Sequence, residues 1–268
     1  EGAVALPYFR KASFDPTFWP AYWQVVDGAK QGYDATSITA AVASLSAVLH
    51  PSFGEIAEQH AQKHPGADNA HLKAMPGKTD LKALKHLPDE SLGKSLYDLL
   101  TMNGFDAEVL DRDTIMLAEL PPALRYLNTR ILQMHDVWHL VAGYTTNAIH
   151  EVAISAFQLA QFGHNYSAMF LAIAAHITHE RSPEGFNIIL QTVAEAWMHG
   201  RETPPLMAIE WESVMDLTID QVRAKHRIKP FESRVPGDLV EILSSGSVWG
   251  KIKMSLAVML LSRKILKA

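Results

Sequence analysis

Helical periodicity runs through almost the whole chain, and one stretch of it places imidazoles and a carboxylate where a helix ordinarily buries carbon. Pro121-Pro122 open that stretch and Gly143 closes it, which is the proline-first, glycine-last punctuation of a long helix. Within it stand His135-Asp136-Val137-Trp138-His139, and Glu151 follows on the next predicted helix. On a helix His135 and His139 lie one turn apart on one face, with Asp136 inside the same arc of about 100°. Arg125, Asn128, Leu132, Ala142 and Gly143 share that arc, while Ile131, Val137, Trp138, Leu140 and Val141 surround it with apolar bulk. Buried without partners, such groups are costly. A divalent cation neutralises the carboxylates and occupies the imidazole lone pairs, so His135, Asp136, His139 and Glu151 form a candidate site for one metal ion. The small Ala142 and Gly143 suggest space for a ligand beside it.

The rest of the chain reads the same way. Helices are expected over about 35–50, stopped by Pro51, and about 53–64, capped by Ser52. Residues 65–80 read as loop, and Leu92–Asn103 as a helix ended by Gly104. Thr145 or Asn147 caps a helix over about 148–163, ended by Gly163. Further helices are expected near 166–180 and 184–199, with Gly200 and Pro204-Pro205 as the break before a last one near 206–226. No segment alternates cleanly with period two, so the expected class is all-α: a single-domain multi-helix bundle with long central helices. Residues 1–34 read as an aromatic arm with a short helix near its end, 35–230 as the helical domain, and 231–268 as a C-terminal extension.

Composition removes several functions. There are no cysteines, which excludes disulfides, thiolate zinc sites and iron–sulfur clusters. The net charge of −5 argues against nucleic acid as a partner. No run is long and apolar enough for a membrane span.

The competing reading of the central motif is a buried His–Asp–His hydrogen-bond network with no metal. The added Asp136 and the phased Glu151 favour the metal. Metallopeptidase H-E-x-x-H motifs carry a glutamate where this chain has Asp136, which is one methylene shorter and reaches for the metal instead of a metal-bound water. Phosphohydrolases of the His-Asp type require an upstream histidine that this chain does not offer in helical context. Metal-dependent hydrolysis therefore remains the weaker alternative. His176 and His179 share a face that Glu180 is not expected to join, and His60, His64 and His71 belong to the polar loop region; surface or capping roles are expected for both sets.

The motif resembles the H-D-x-x-H-x11-E signature of the Coq4 family of ubiquinone-biosynthesis proteins. Leu87-Pro88-Asp89-Glu90-Ser91-Leu92-Gly93-Lys94 is similar to that family's L-P-E-G-[ST]-x-G-[RK] segment. Tyr126 and Arg130 fall in register with its Y-V-x-x-R-Y-R-x-x-H-D run. Ala196-Trp197, Gly200-Arg201 and Glu210-Trp211-Glu212 resemble its closing helices. The chain departs from the family after Gly163, where His164-Asn165 replace Leu-Pro.

The resemblance implies a divalent metal, usually zinc, with iron(II) or manganese(II) as alternatives. It also implies a polyprenylated aromatic quinone precursor as ligand. The implied activity is removal of the C1 carboxylate from a polyprenylated hydroxybenzoate, coupled to C1 hydroxylation, with the metal ligands as catalytic residues; Arg125 is added to them from its place on the ligand face alone, as a cation to orient the carboxylate. The alternative is a non-catalytic lipid-binding scaffold that organises other ubiquinone-biosynthesis enzymes. Either role implies peripheral contact with a membrane, on the cytoplasmic face in a bacterium or the matrix side of the mitochondrial inner membrane in a eukaryote. A homo-oligomer is compatible with both.

The tail suggests how that contact is made. In residues 251–268 an apolar centre, Met254–Leu261, is flanked by Lys251, Lys253, Arg263, Lys264 and Lys267. Each such cation near an anionic surface contributes about 1 kcal/mol. The plainer reading is a helix docked on the body or on a second subunit. Deleting residues 251–268 is expected to weaken binding to anionic liposomes at low salt while metal content stays unchanged. Equal liposome binding by truncated and full-length protein assigns the tail to packing instead.

Overall fold

A computed structural model of the chain describes residues 18–30, 35–45, 52–102, 104, 108, 110–181 and 183–235. Most of the aromatic arm and the whole basic tail lie outside the described residues. Ten α-helices follow in order among them: α1 Phe18–Lys30, α2 Ala35–Ser44, α3 Ser52–Ala61, α4 Leu81–Lys85, α5 Leu92–Met102, α6 Pro122–Ala142, α7 Ala148–Phe162, α8 Asn165–Arg181, α9 Pro183–Glu202 and α10 Ile219–His226. The only β-pairing among the described residues is the isolated bridge Ser91–Thr218. The all-α expectation holds, and no described helix is long and apolar enough to cross a membrane.

Local chemistry sets the two helices that matter most. Pro122 sits in the first turn of α6, where its missing N–H is not needed, and Gly143 ends the helix in the left-handed region at φ 80°. The terminal carbonyls of α6 are then taken up from outside. Arg223 donates to Val141 O (2.9 Å) and Leu140 O (3.0 Å), and the Phe231 N–H donates to Ala142 O at 2.8 Å. Asn147 caps α7 by accepting from His150 N, and Gly163 closes it at φ 63°.

Helix α7 is the packing centre. Its most extensive neighbour is α9, and Val152 through Gln158 are all buried. Gln161 ties the two ends together: its side chain donates to Gly200 O (2.7 Å) and Thr203 O (2.8 Å) and accepts from Leu206 N (3.0 Å). Trp138 of α6 is fully buried and packs at a tilt on Phe162 of α7, ring centroids 4.7 Å apart. A second core group, including Val26, Val42, Ile115 and Ile173, joins α1 and α2 to α8.

The loop expected over 65–80 is present; it contains the 3-10 turn Ala70–Leu72 and leads into α4, whose first N–H groups Asp80 caps. Two expectations are corrected. Gly200 does not break its helix: α9 continues to Glu202. A Cβ at Gly200 would lie 2.8 Å from Phe157 O and from Ala160 Cβ, so the glycine permits close approach of α7 and α9. The single helix expected over 206–226 is three pieces: 3-10 turns Leu206–Ala208 and Trp211–Val214, then α10 with a Thr218–Gln221 capping box.

Glu90 has φ 65° in the segment where the family pattern carries glycine. A left-handed conformation costs a non-glycine residue about 1–2 kcal/mol, and glycine gives back about 0.5–1 kcal/mol in unfolded-chain entropy. Glu90→Gly is therefore expected to stabilise the protein by roughly 0.5–1 kcal/mol, measured as a higher denaturant midpoint at unchanged m-value. A lower midpoint contradicts the assignment of strain.

Candidate metal centre

The chain reverses just after α6, and that reversal organises the site. Both Gly143 N and Tyr144 N donate to His139 O, at 3.0 and 2.9 Å. Tyr144 O returns to within 3.3 Å of His139 Nδ1. A carbonyl only accepts, so the His139 proton sits on Nδ1 and Nε2 presents a lone pair. Tyr144 is itself held: its hydroxyl lies 2.7 Å from His199 Nδ1, and Phe231 stacks on its ring at 4.6 Å.

His139 Nε2 faces His135 Nε2 at 3.0 Å. Glu151, in the first turn of α7, closes the arrangement with Oε1 at 3.3 Å from His139 Nε2 and Oε2 at 3.3 Å from His135 Nε2. The positive end of the α7 dipole favours a carboxylate there. One ligating atom each of His135, Asp136 and His139 lies within 4.8 Å of the others. His139 is fully buried, whereas His135, Asp136 and Glu151 are half-buried.

These separations suit a cation. Ligands about 2.0–2.1 Å from zinc stand roughly 3.3 Å apart at tetrahedral angles, which the His–Glu distances match and the His–His distance approaches. Without a cation, two imidazole nitrogens at 3.0 Å need a proton between them. The electrostatics show the same demand for positive charge. Burial opposes a charged His135, but the hydrogen bond and charge of Glu151, with the charge of Asp136, hold its pKa above the ordinary imidazole value. Burial likewise opposes the Glu151 carboxylate, and the hydrogen bonds and charges of His135 and His139 overcome it, holding Glu151 well below the usual carboxylate range.

The remaining expected residues are placed differently. Arg125 is not brought to the cluster. It stands ten residues before His135, about 15 Å of helical rise away, and its guanidinium donates to Leu120 O at 3.2 Å. The space expected beside Ala142 and Gly143 is filled: a Cβ at Gly143 would lie 2.9 Å from Pro230 Cβ. Glu180, expected to face away from the histidines of α8, lies 3.6 Å from His176 and pairs with Lys30. His60 and His64 pack edge to face at 5.2 Å against Gly163.

Two residues near the site escaped sequence reasoning. Gln158 Nε2 lies 2.7 Å from His135 Nδ1. His164 is linked to Gln158 through Ser167. The phasing of Gln158 with Glu151, seven residues earlier on α7, was the available signal; for His164 it was the departure from the family pattern after Gly163.

Comparison with known proteins places the chain in a family. Residues 65–232 match the family profile described as coenzyme Q (ubiquinone) biosynthesis protein Coq4. The chain is 28% identical over 161 residues to the mitochondrial ubiquinone biosynthesis protein COQ4 of Eremothecium gossypii, covering 60% of this chain and 46% of that protein. It is 28% identical over 149 residues to the mitochondrial COQ4 homolog of Drosophila ananassae, covering 54% of this chain and 53% of the relative. The chain thus spans about half the length of these curated relatives. The fold is shared with a crystal structure of a Nostoc punctiforme PCC 73102 protein, provisionally described as a ubiquinone biosynthesis protein, at TM-score 0.63 and 21% identity, over 81% of this chain and 99% of that one.

Proton linkage gives the site a testable signature. In the metal-free protein the raised His135 pKa stabilises the fold below the unfolded imidazole value, and that contribution fades as pH rises through the folded value. The depressed Glu151 pKa stabilises above the unfolded carboxylate value and is lost in acid. A metal requires His135 unprotonated. Zinc is therefore expected to raise the melting temperature more at pH 8 than at pH 6, and His139→Ala to remove most of the effect at both. An equal rise at both pH values, or in both proteins, argues against the site.

Proposed function

We propose that this chain, which belongs to the Coq4 family of coenzyme Q (ubiquinone) biosynthesis proteins, holds one divalent cation, zinc in the first instance, on His135, Asp136, His139 and Glu151, and acts there on a polyprenylated hydroxybenzoate. The observation that carries the reading is the convergence of two imidazole Nε2 atoms at 3.0 Å with both oxygens of Glu151 beside them, one imidazole having its tautomer fixed by a backbone carbonyl.

The reaction proposed is exchange of the C1 carboxylate for a hydroxyl. The ring–carboxylate bond breaks, CO₂ leaves, and a C–O bond forms at the same carbon. The change is a two-electron oxidation. It balances with dioxygen as oxidant and water as co-reactant, giving hydrogen peroxide as the reduced product. A bound divalent cation supplies Lewis acidity toward a carboxylate or phenolate oxygen. The protein's own part is to hold that charge in place. Glu151 and Asp136 balance the cation, and Tyr144 O fixes the direction of His139.

One observation favours a second reading. Arg125, the cation expected to grip the substrate carboxylate, is tied to Leu120 O instead. A site with a metal and no adjacent arginine suits presentation of a precursor as well as its conversion. In that reading the chain is a lipid-binding scaffold at the membrane surface, serving other ubiquinone-biosynthesis enzymes. The relatives are named mitochondrial, and we place this chain by analogy at the matrix face of the inner membrane, or at the cytoplasmic face in a bacterium.

Purified, zinc-loaded protein in detergent, given carboxyl-labelled polyprenyl-hydroxybenzoate and air, is expected to release labelled CO₂. His139→Ala is expected to lose at least about 100-fold of that rate, as removal of a ligand that holds the charge-stabilising group predicts. Binding of the substrate with no CO₂ released selects the scaffold.

A further inference from the structure

Behind His135 lies a line of polar side chains that the metal centre leaves unused. Gln158 stands two turns beyond Glu151 on the same face of α7. Its Nε2 is 2.7 Å from His135 Nδ1, and its Oε1 accepts from Ser167 Oγ at 3.1 Å. Ser167 Oγ lies 2.8 Å from His164 Nδ1. Gln158 and Ser167 are buried, with 3% exposure each, so these contacts are not shared with bulk water. The three residues come from α7, from the corner after Gly163 and from the first turn of α8.

An imidazole that offers Nε2 to a cation carries its proton on Nδ1 and needs an acceptor there. For His139 that acceptor is Tyr144 O. For His135 the group placed at Nδ1 is the Gln158 carboxamide. A carboxamide is donor at one end and acceptor at the other. With Nε2 toward His135 it donates to Nδ1 and leaves the proton of a neutral imidazole on Nε2, the wrong tautomer for ligation. Turned end for end, Oε1 accepts from His135 Nδ1–H, Nε2 donates to Ser167 Oγ, and the Ser167 hydroxyl donates to His164 Nδ1. Each of these three contacts then pairs a donor with an acceptor. Burial, and then the charge of His135, push His164 down to about 3, so it is a neutral acceptor in the physiological range.

We propose that Gln158, anchored through Ser167 to His164, is a positioning residue that selects the metal-ligating tautomer of His135. The proposal rests on the metal reading above, and it gives a role to His164, the residue that replaces leucine in the family pattern.

The test uses zinc itself, in competition with a chromophoric chelator, and nitrogen-15 NMR of the His135 ring. Gln158→Leu removes the acceptor at similar volume and is expected to weaken zinc binding about 10–100-fold. Gln158→Glu keeps an acceptor oxygen and is expected to stay within a few-fold of wild type. In zinc-loaded wild type, the His135 Nδ1–H is expected to show a through-hydrogen-bond coupling to the Gln158 carboxamide carbon, which ligation alone does not produce. This last measurement needs no variant, so it decides the matter even if Gln158→Leu does not fold; absence of that coupling overturns the proposal. Equal zinc affinity in wild type and Gln158→Leu overturns it and leaves the metal site standing. Failure of wild type to bind zinc at all overturns both.

Discussion

The contact between His139 Nδ1 and the Tyr144 carbonyl, 3.3 Å long, is the constraint from which the centre is built. It is made by residues five apart, so it exists only because α6 stops at Gly143 in a left-handed conformation and the chain doubles back. The same turn must satisfy the last carbonyls of α6, and it does so from distant sequence, through Arg223 and the Phe231 N–H. Tyr144 is then immobilised by His199 and Phe231, and His199 in turn lies 2.8 Å from Lys229 O. A tautomer on α6 is thus fixed by a backbone carbonyl that α9 and the segment after α10 hold still. A cation needs that stillness, because ligand direction governs affinity as much as ligand identity.

The opposite wall comes from α7, and there the balance is electrostatic. Glu151 is a half-buried carboxylate facing two imidazoles, and burial alone pushes it toward its neutral form. Its charge survives because positive charge is concentrated opposite it and the helix N-terminus adds its own dipole. The elements behind the site do not share this character. Arg130 grips Glu212 with both terminal nitrogens, at 2.5 and 2.9 Å, pinning the turn Trp211–Val214 to the middle of α6. Glu212 is held below its usual range chiefly by that hydrogen bond. This pair is a brace; both residues fall in segments that carry the family resemblance, which accounts for their presence without assigning them chemistry.

Legibility in the sequence followed the range of the forces involved. Periodicity and Pro/Gly punctuation marked α6 and α7 to within a residue or two, because those signals are local. The clustering of His135, Asp136, His139 and Glu151 was legible for the same reason: they are phased on two consecutive helices. What could not be read was decided at a distance. Arg125 shares the ligand face in projection, but projection discards the axial rise that separates it from His135. Gly143 was read as free space, yet Pro230 fills it. Gly200 was read as a break, although its lack of a side chain serves the helix packed against it. The stretch 206–226 has enough apolar residues for one helix. The carbonyls of Met215 and Leu217 instead accept from Gly93 and Leu92, at 2.9 and 2.7 Å, so these carbonyls serve the start of α5 and no helix of their own.

Helix α7 joins the polar cluster to the packed core. It presents Glu151 and Gln158 to α6 and Gln161 to the end of α9, while Val152 through Ala156 are buried. A slip of one residue rotates a helix by about 100°. Such a slip would take Glu151 from the imidazoles, Gln158 from His135 and Gln161 from three backbone groups at once. Each loss strands a polar group in a poorly solvated place, at about 1–3 kcal/mol apiece. The apolar core permits only close packing, and at Gly200 it leaves no room for even one added carbon without a shift. Register and depth of α7 are therefore set twice, by polar satisfaction on one side and by steric contact on the other. That double determination lets a half-buried carboxylate stand 3.3 Å from two imidazole nitrogens and remain there.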